Sequence, residues 1–161
     1  MNRLSLSLAV AATVILVDSA FAQGTAADRE AIRNLIEAHA TAWNNHDAKA
    51  AASVMTTDAV WINSRGEAIS GRAAIERAHR QWLAEDSAAG GSTHAHPVES
   101  IQIRFLRPDV AVADLASQFI VKPKAGATPP APETTYLFIV FTKDRGVWHI
   151  AQLRNILTPH P

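Results

Sequence analysis

The stretch GVWHIAQLRN, Gly146–Asn155, reads as a β-strand and fixes how the C-terminal half of the chain must fold. Its residues mix β-branched, aromatic and polar types at a period of two, as a half-buried strand does. Strict alternation puts Trp148, Ile150, Gln152 and Arg154 on one face. Val147, His149, Ala151, Leu153 and Asn155 take the other. The first face starts apolar and ends with an amide and a guanidinium. Such a face either runs from a packed core into a polar cavity or frays into water.

Reading upstream, "KDRG" (Lys143–Gly146) is a hairpin turn, and Thr134–Thr142 is an apolar strand. "KPKAGATPPAPE" (122–133) is a loop by its proline and glycine content. Val110–Val121 is a long strand, Arg107-Pro108-Asp109 a turn, and Ser100–Leu106 a strand with Ile101, Ile103 and Phe105 on one face. Further upstream the period changes. Thr25–Asn45 is a helix, capped by Thr25 with Asp28 three residues on. Its inner stripe is Ile32, Leu35, Ile36, His39 and Trp43. "NNHD" (Asn44–Asp47) ends it, and Asp47 caps a second helix over Ala48–Met55. Ala59–Asn63 is a short strand and "SRGEAISG" (64–71) a turn. A third helix runs from Arg72 to about Glu85, with Ile75, Ala78, His79 and Trp82 inward. Helices first and a meander of strands second predict an α+β domain with an antiparallel sheet.

The chain's 161 residues favour one folded unit. Residues 1–22 read separately, as a secretory signal peptide. They hold a basic start at Arg3, an apolar run from Leu4 to Val17, and the small-x-small site Ala20-Phe21-Ala22. Cleavage after Ala22 would send residues 23–161 to the periplasm or the medium as a single domain. No other segment could span a membrane. The chain has no cysteine, so disulfides, thiol nucleophiles and cysteine metal sites are excluded together. Formal charge is zero, and Arg3 and Asp18 cancel within the signal segment. This neutrality argues against a nucleic-acid or anionic-membrane footprint. It suits a small molecule or a second copy of the chain.

The element order, together with "AWNNHDAKAAASVMTTDAVWI", "GRAAIERAH", "RFLRPDVAVAD" and "GVWHIAQLRN", resembles the SnoaL-like branch of the nuclear transport factor 2 superfamily. Within it, the chain is most similar to the SgcJ/EcaC-type proteins. The resemblance covers essentially all of 23–161. It implies a cone, in which a curved antiparallel sheet wraps three N-terminal helices and leaves a pocket between them. In that geometry Trp148 and Ile150 pack at the closed end, and Gln152 and Arg154 lie nearer the pocket. Ketosteroid isomerase is a well-known enzyme of the superfamily. The resemblance places its tyrosine donor at His39, its aspartate base at Asn63 and its protonated aspartate near Leu137. Asn63 cannot accept a proton at neutral pH and Leu137 offers no hydrogen bond. That mechanism is therefore not expected here.

The candidate catalytic groups are His39, His79 and Arg154. Each has a bland counterpart, as a hydrogen-bonded core histidine or a frayed strand end. The candidate ligand-binding residues are Trp43, Trp61, Asn63, Gln152 and Arg154, with the tryptophans as flat apolar walls. His94 and His96 could share a strand face, but a metal site needs a third ligand, and nothing fixes the distance to His149 or His160. No metal is expected. No G-x-S-x-G, P-loop or dinucleotide fingerprint occurs, so no cofactor is expected either. Three functions compete. The favoured one is an exported protein binding a small hydrophobic or aromatic molecule that carries a carbonyl or carboxylate. The second is a cofactor-free isomerase, cyclase or lyase acting on a hydrophobic carbonyl or polyketide-like substrate. The third is a homodimeric association module that docks through its sheet.

Overall fold

In a computed structural model, the described residues are 24–84, 92–95, 100–120, 128 and 131–157. The signal-peptide reading and His96 lie outside them, as does the side chain of His94. Ten elements follow in chain order: α1 (Ala26–Asn44), α2 (Ala48–Ser53), β1 (Met55–Ile62), β2 (Ala68–Ser70), α3 (Arg72–Trp82), β3 (Thr93–Ala95), β4 (Gln102–Arg107), β5 (Val110–Ile120), β6 (Glu133–Asp144) and β7 (Val147–Leu157).

Local chemistry sets the boundaries. Thr25 Oγ1 accepts from the Asp28 amide at 3.0 Å, and Asp28 Oδ2 accepts from the Thr25 amide at 3.2 Å, closing a capping box on α1. Asp47 accepts from the Ala50 amide at 2.9 Å and caps α2. Between β6 and β7, Arg145 (φ 48) and Gly146 (φ 85) form a two-residue turn with both residues in the left-handed region. That turn matches the twist of the strands it joins. At the start of α1, Gly24 takes φ 60 and lies against Phe105, where a side chain would run into the ring.

The strands form one curved sheet in the order β2-β1-β7-β6-β5-β3, with β4 sharing the edge of β5. Every pair is antiparallel except β1 and β7, which run parallel and make the sheet mixed. A parallel partner needs no local turn signal, so sequence-local reasoning does not reveal it. This pairing also moves a boundary. Ile150 donates to the Val54 carbonyl at 3.0 Å and Met55 pairs with Ile150, so β1 begins at Met55, where the second helix was expected to end. β2, inside the expected turn, pairs with β1. The core between helices and sheet holds Ile32, Ile36, Met55, Ile75, Ile139, Phe141 and Ile150, all at most 2 % exposed. At its closed end Asp28 joins α1 to the last hairpin. Its Oδ1 accepts from Lys143 Nζ at 2.7 Å and Trp148 Nε1 at 2.8 Å.

The last strand departs from regular alternation. Phe141 pairs with Ile150, but Val140 pairs with Gln152, so Ala151 is an extra residue on β7. This β-bulge exchanges the faces of everything beyond it. Trp148 and Ile150 point into the core, and after the bulge Leu153 and Asn155 do. Gln152 and Arg154 pass to the convex side, where Arg154 is exposed.

Candidate functional site

Two adjoining hollows lie between the helices and the concave face. The inner one, about 20 Å³, is walled by His39, Ala40 and Trp43 of α1, Trp61 of β1, Leu137 of β6, and Leu153 and Asn155 of β7. The outer one, about 120 Å³, shares Trp43, Trp61 and Asn155 and adds Asn63, Ser64, Trp82, Phe119, Glu133 and Thr135. Aromatic edges pack closely around both. Trp61 meets Trp43 with ring centres 6.3 Å apart and Trp82 at 6.1 Å, both edge to face.

The helical spacing that sets His39 and Trp43 one turn apart on α1 brings both to the inner wall. His79, from α3, lies behind that wall rather than on it. It is fully buried, 4.5 Å from the Trp61 ring centre, 5.2 Å from Trp43 and 5.9 Å from His39. Neither of its ring nitrogens has a hydrogen-bond partner among the described residues. Burial without a partner pushes its pKa down from 6.5 to about 4, so the imidazole is neutral at pH 7.

Asn63 lines the outer hollow, but its carboxamide is committed elsewhere. Its oxygen accepts from the amides of Arg65 (3.0 Å) and Glu67 (3.1 Å), and its nitrogen donates to Glu67 Oε2 at 2.7 Å. It therefore closes the β1–β2 turn, a local role typical of asparagine. Beside that turn, the Arg65 guanidinium covers the Trp82 ring at 4.6 Å. Gln152 and Arg154 line neither hollow. The expectation that they approach the pocket fails because the bulge at Ala151 comes before them.

Asn155 is the residue that alternation misplaced. Trp61 Nε1 donates to its Oδ1 at 3.1 Å. An indole can only donate, so the amide oxygen must be the atom facing it. The Asn155 nitrogen then has no hydrogen-bond partner among the described residues. One signal was present in the sequence: the apolar positions Trp148, Ile150 and Leu153 are spaced by two and then three. A change of spacing in mid-strand marks an inserted residue.

No group of three or more histidine, aspartate or glutamate side chains is placed to hold a metal ion among the described residues. The walls thus offer aromatic surface, one imidazole at the inner hollow, one carboxamide common to both, and the side chains of Ser64, Thr135 and Glu133 at the outer hollow.

Residues 24–154 match the SnoaL-like domain family model. No curated protein matches the chain. Solved structures resemble it over most of its length. A domain of unknown function with a cystatin-like fold from Nostoc punctiforme superposes with a TM-score of 0.72 at 23 % identity, covering 84 % of this chain and 80 % of that one. A nuclear transport factor 2-like protein with a cystatin-like fold from Novosphingobium aromaticivorans gives 0.68 at 21 %, covering 84 % of each. A protein from the same organism, provisionally named a scytalone dehydratase, gives 0.69 at 14 %, covering 83 % and 85 %. At these identities the likeness shows a shared fold.

Proposed function

The chain belongs to the SnoaL-like domain family, and on that footing we propose that it is an exported small-molecule-binding protein of the SgcJ/EcaC type. Its ligand occupies the two hollows between helices and sheet. The observation that carries this reading is the wall itself. Trp43, Trp61, Trp82, Phe119, Leu137 and Leu153 line the space with aromatic and apolar surface, and His39, Asn63, Ser64, Glu133, Thr135 and Asn155 set polar groups among them. Size limits the ligand. An apolar cavity of about 150 Å³ takes up benzene. The hollows here hold about 20 and 120 Å³, so the space is on the scale of a single ring.

The test is a fluorescence titration with single-ring aromatics, since Trp43 and Trp61 would report the bound ligand. Saturable binding is expected, and Thr135→Leu, which adds apolar bulk to the outer wall, should abolish it while keeping the circular dichroism spectrum. No saturable binding by any single-ring probe up to its solubility would sink the reading. Export with cleavage after Ala22 belongs to the same proposal. The mass of the exported protein tests it, and a chain still beginning at Met1 would refute it.

A second reading, cofactor-free catalysis, is favoured by one observation: the His39 imidazole stands on the inner wall with the Asn155 carboxamide on the same hollow. An imidazole there could move a proton. Self-association also belongs to the proposal. The convex face carries Val60, Ile62, Tyr136, Phe138, Val140 and Ile156, more apolar surface than a strand face turned to water normally shows.

A further inference from the structure

We infer that Asn155 is the specificity-determining residue of the hollow, and that it selects a neutral single-ring ligand bearing a hydrogen-bond acceptor, such as an aryl ketone, over the corresponding carboxylate. This rests on the ligand-binding reading above and narrows it.

Three observations converge. The first is orientation. Trp61 Nε1 holds the amide oxygen of Asn155 at 3.1 Å, so the carboxamide cannot turn over without leaving the indole N–H unbonded. The second is what remains. With the oxygen engaged, the residue has its NH₂ group left to offer, and no described residue takes it up. Asn155 stands on the wall of both hollows, so this donor is at their junction. The third is charge. Among the described lining residues the one aspartate or glutamate is Glu133, and no lysine or arginine occurs. Arg154 is exposed and lines neither hollow, and the Arg65 guanidinium is paired with Glu67 at 2.9 Å. A carboxylate entering this space would lose its water and meet no lysine or arginine among the described lining residues. A carbonyl oxygen loses less and gains the Asn155 donor. Sites that donate to a ligand oxygen discriminate well against analogues lacking it.

Acetophenone, ethylbenzene and benzoate share a ring and similar bulk, and differ in acceptor and charge. Their binding is followed by the tryptophan indole N–H resonances, of which that of Trp61 is bonded to Asn155. The unaltered protein should bind acetophenone about fivefold to tenfold more tightly than ethylbenzene, and benzoate weakest. Asn155→Leu should erase the preference for acetophenone over ethylbenzene. Trp61→Phe, which frees the amide to rotate, should shrink the preference, and it keeps the question open if the leucine variant does not fold. A preference that survives both substitutions, or ethylbenzene binding as tightly as acetophenone to the unaltered protein, would overturn the inference while leaving ligand binding intact. Failure of all three probes to bind would overturn both.

Discussion

His79 is a buried imidazole ringed by Trp61, Trp43 and His39, with no partner for either nitrogen among the described residues. Its cost to the fold depends on pH. The folded-state pKa, about 4, lies below the ordinary 6.5 of an unfolded histidine, so the unfolded chain binds the extra proton first. The neutral form is fully compatible with folding above pH 6.5. Stability is then lost as pH falls from 6.5 to 4, by roughly 3 kcal/mol in total. His79→Leu should remove this sensitivity and change stability near pH 7.5 by less than about 1 kcal/mol, because an unpaired polar group is exchanged for an apolar one of similar size. Urea unfolding at pH 7.5, 6 and 4.5 checks both statements. An equally steep loss in the leucine variant would assign the acid response to other groups. The helical stripe made the inward direction of His79 legible in the sequence. Its lack of partners was not, because they would have to come from α1 and β1, which are distant in sequence.

At the scale of the element, most of the architecture was readable. The Thr25–Asp28 cap, the Asp47 cap and the "KDRG" turn are local chemistry, and each occurs where its residues require it. The face of β7 was not readable by alternation alone, since a period of two assumes that register never slips. One bulged residue, Ala151, moved Arg154 out of the candidate site and Asn155 in. A pair of neighbours should show the exchange directly. Leu153 is 2 % exposed, and Leu153→Ala should cost about 2–5 kcal/mol. Arg154→Ala, on the solvent side, should cost under about 0.5 kcal/mol and leave probe binding unaltered. Denaturant midpoints of the two variants decide it. Comparable losses would mean that β7 runs without the bulge.

Across the whole molecule, the sheet's convex face is the feature without an evident purpose in a monomer. Tyr136 (46 % exposed) and Ile156 (46 %) sit side by side on β6 and β7. On the next row, Phe138 lies between Asp114 and Arg154, in cross-strand register with both. An acidic and a basic side chain flanking an aromatic ring suit a two-fold contact, in which each Asp114 could face the other copy's Arg154. The expected outcome is a dimer in sedimentation at tens of micromolar, a concentration corresponding to roughly 6–7 kcal/mol of association free energy. Phe138→Lys should convert it to a monomer. A monomer for the unaltered protein at that concentration would refute the proposal. Fold class was legible at this scale because helical and strand periods separate cleanly along the chain. The parallel β1–β7 pair joins segments from opposite ends and has no sequence-local signature.

The Asp28 junction has a consequence in time as well as in space. Its bonds to Lys143 and Trp148 close 115 and 120 residues of chain. Loops of that length cost much entropy before any contact repays them, so such contacts tend to form late on the way to the native state. A contact absent from the rate-limiting barrier slows escape from the native state without speeding arrival. Asp28→Asn would therefore leave the refolding rate within about twofold and raise the unfolding rate by about tenfold or more, matching the roughly 1.5–3 kcal/mol of a charged hydrogen bond. Stopped-flow measurement of both chevron arms separates the two. A slowed refolding arm would place the junction among the first contacts made. On the expected result, Asp28 acts as a latch that governs how long the closed cone stays closed.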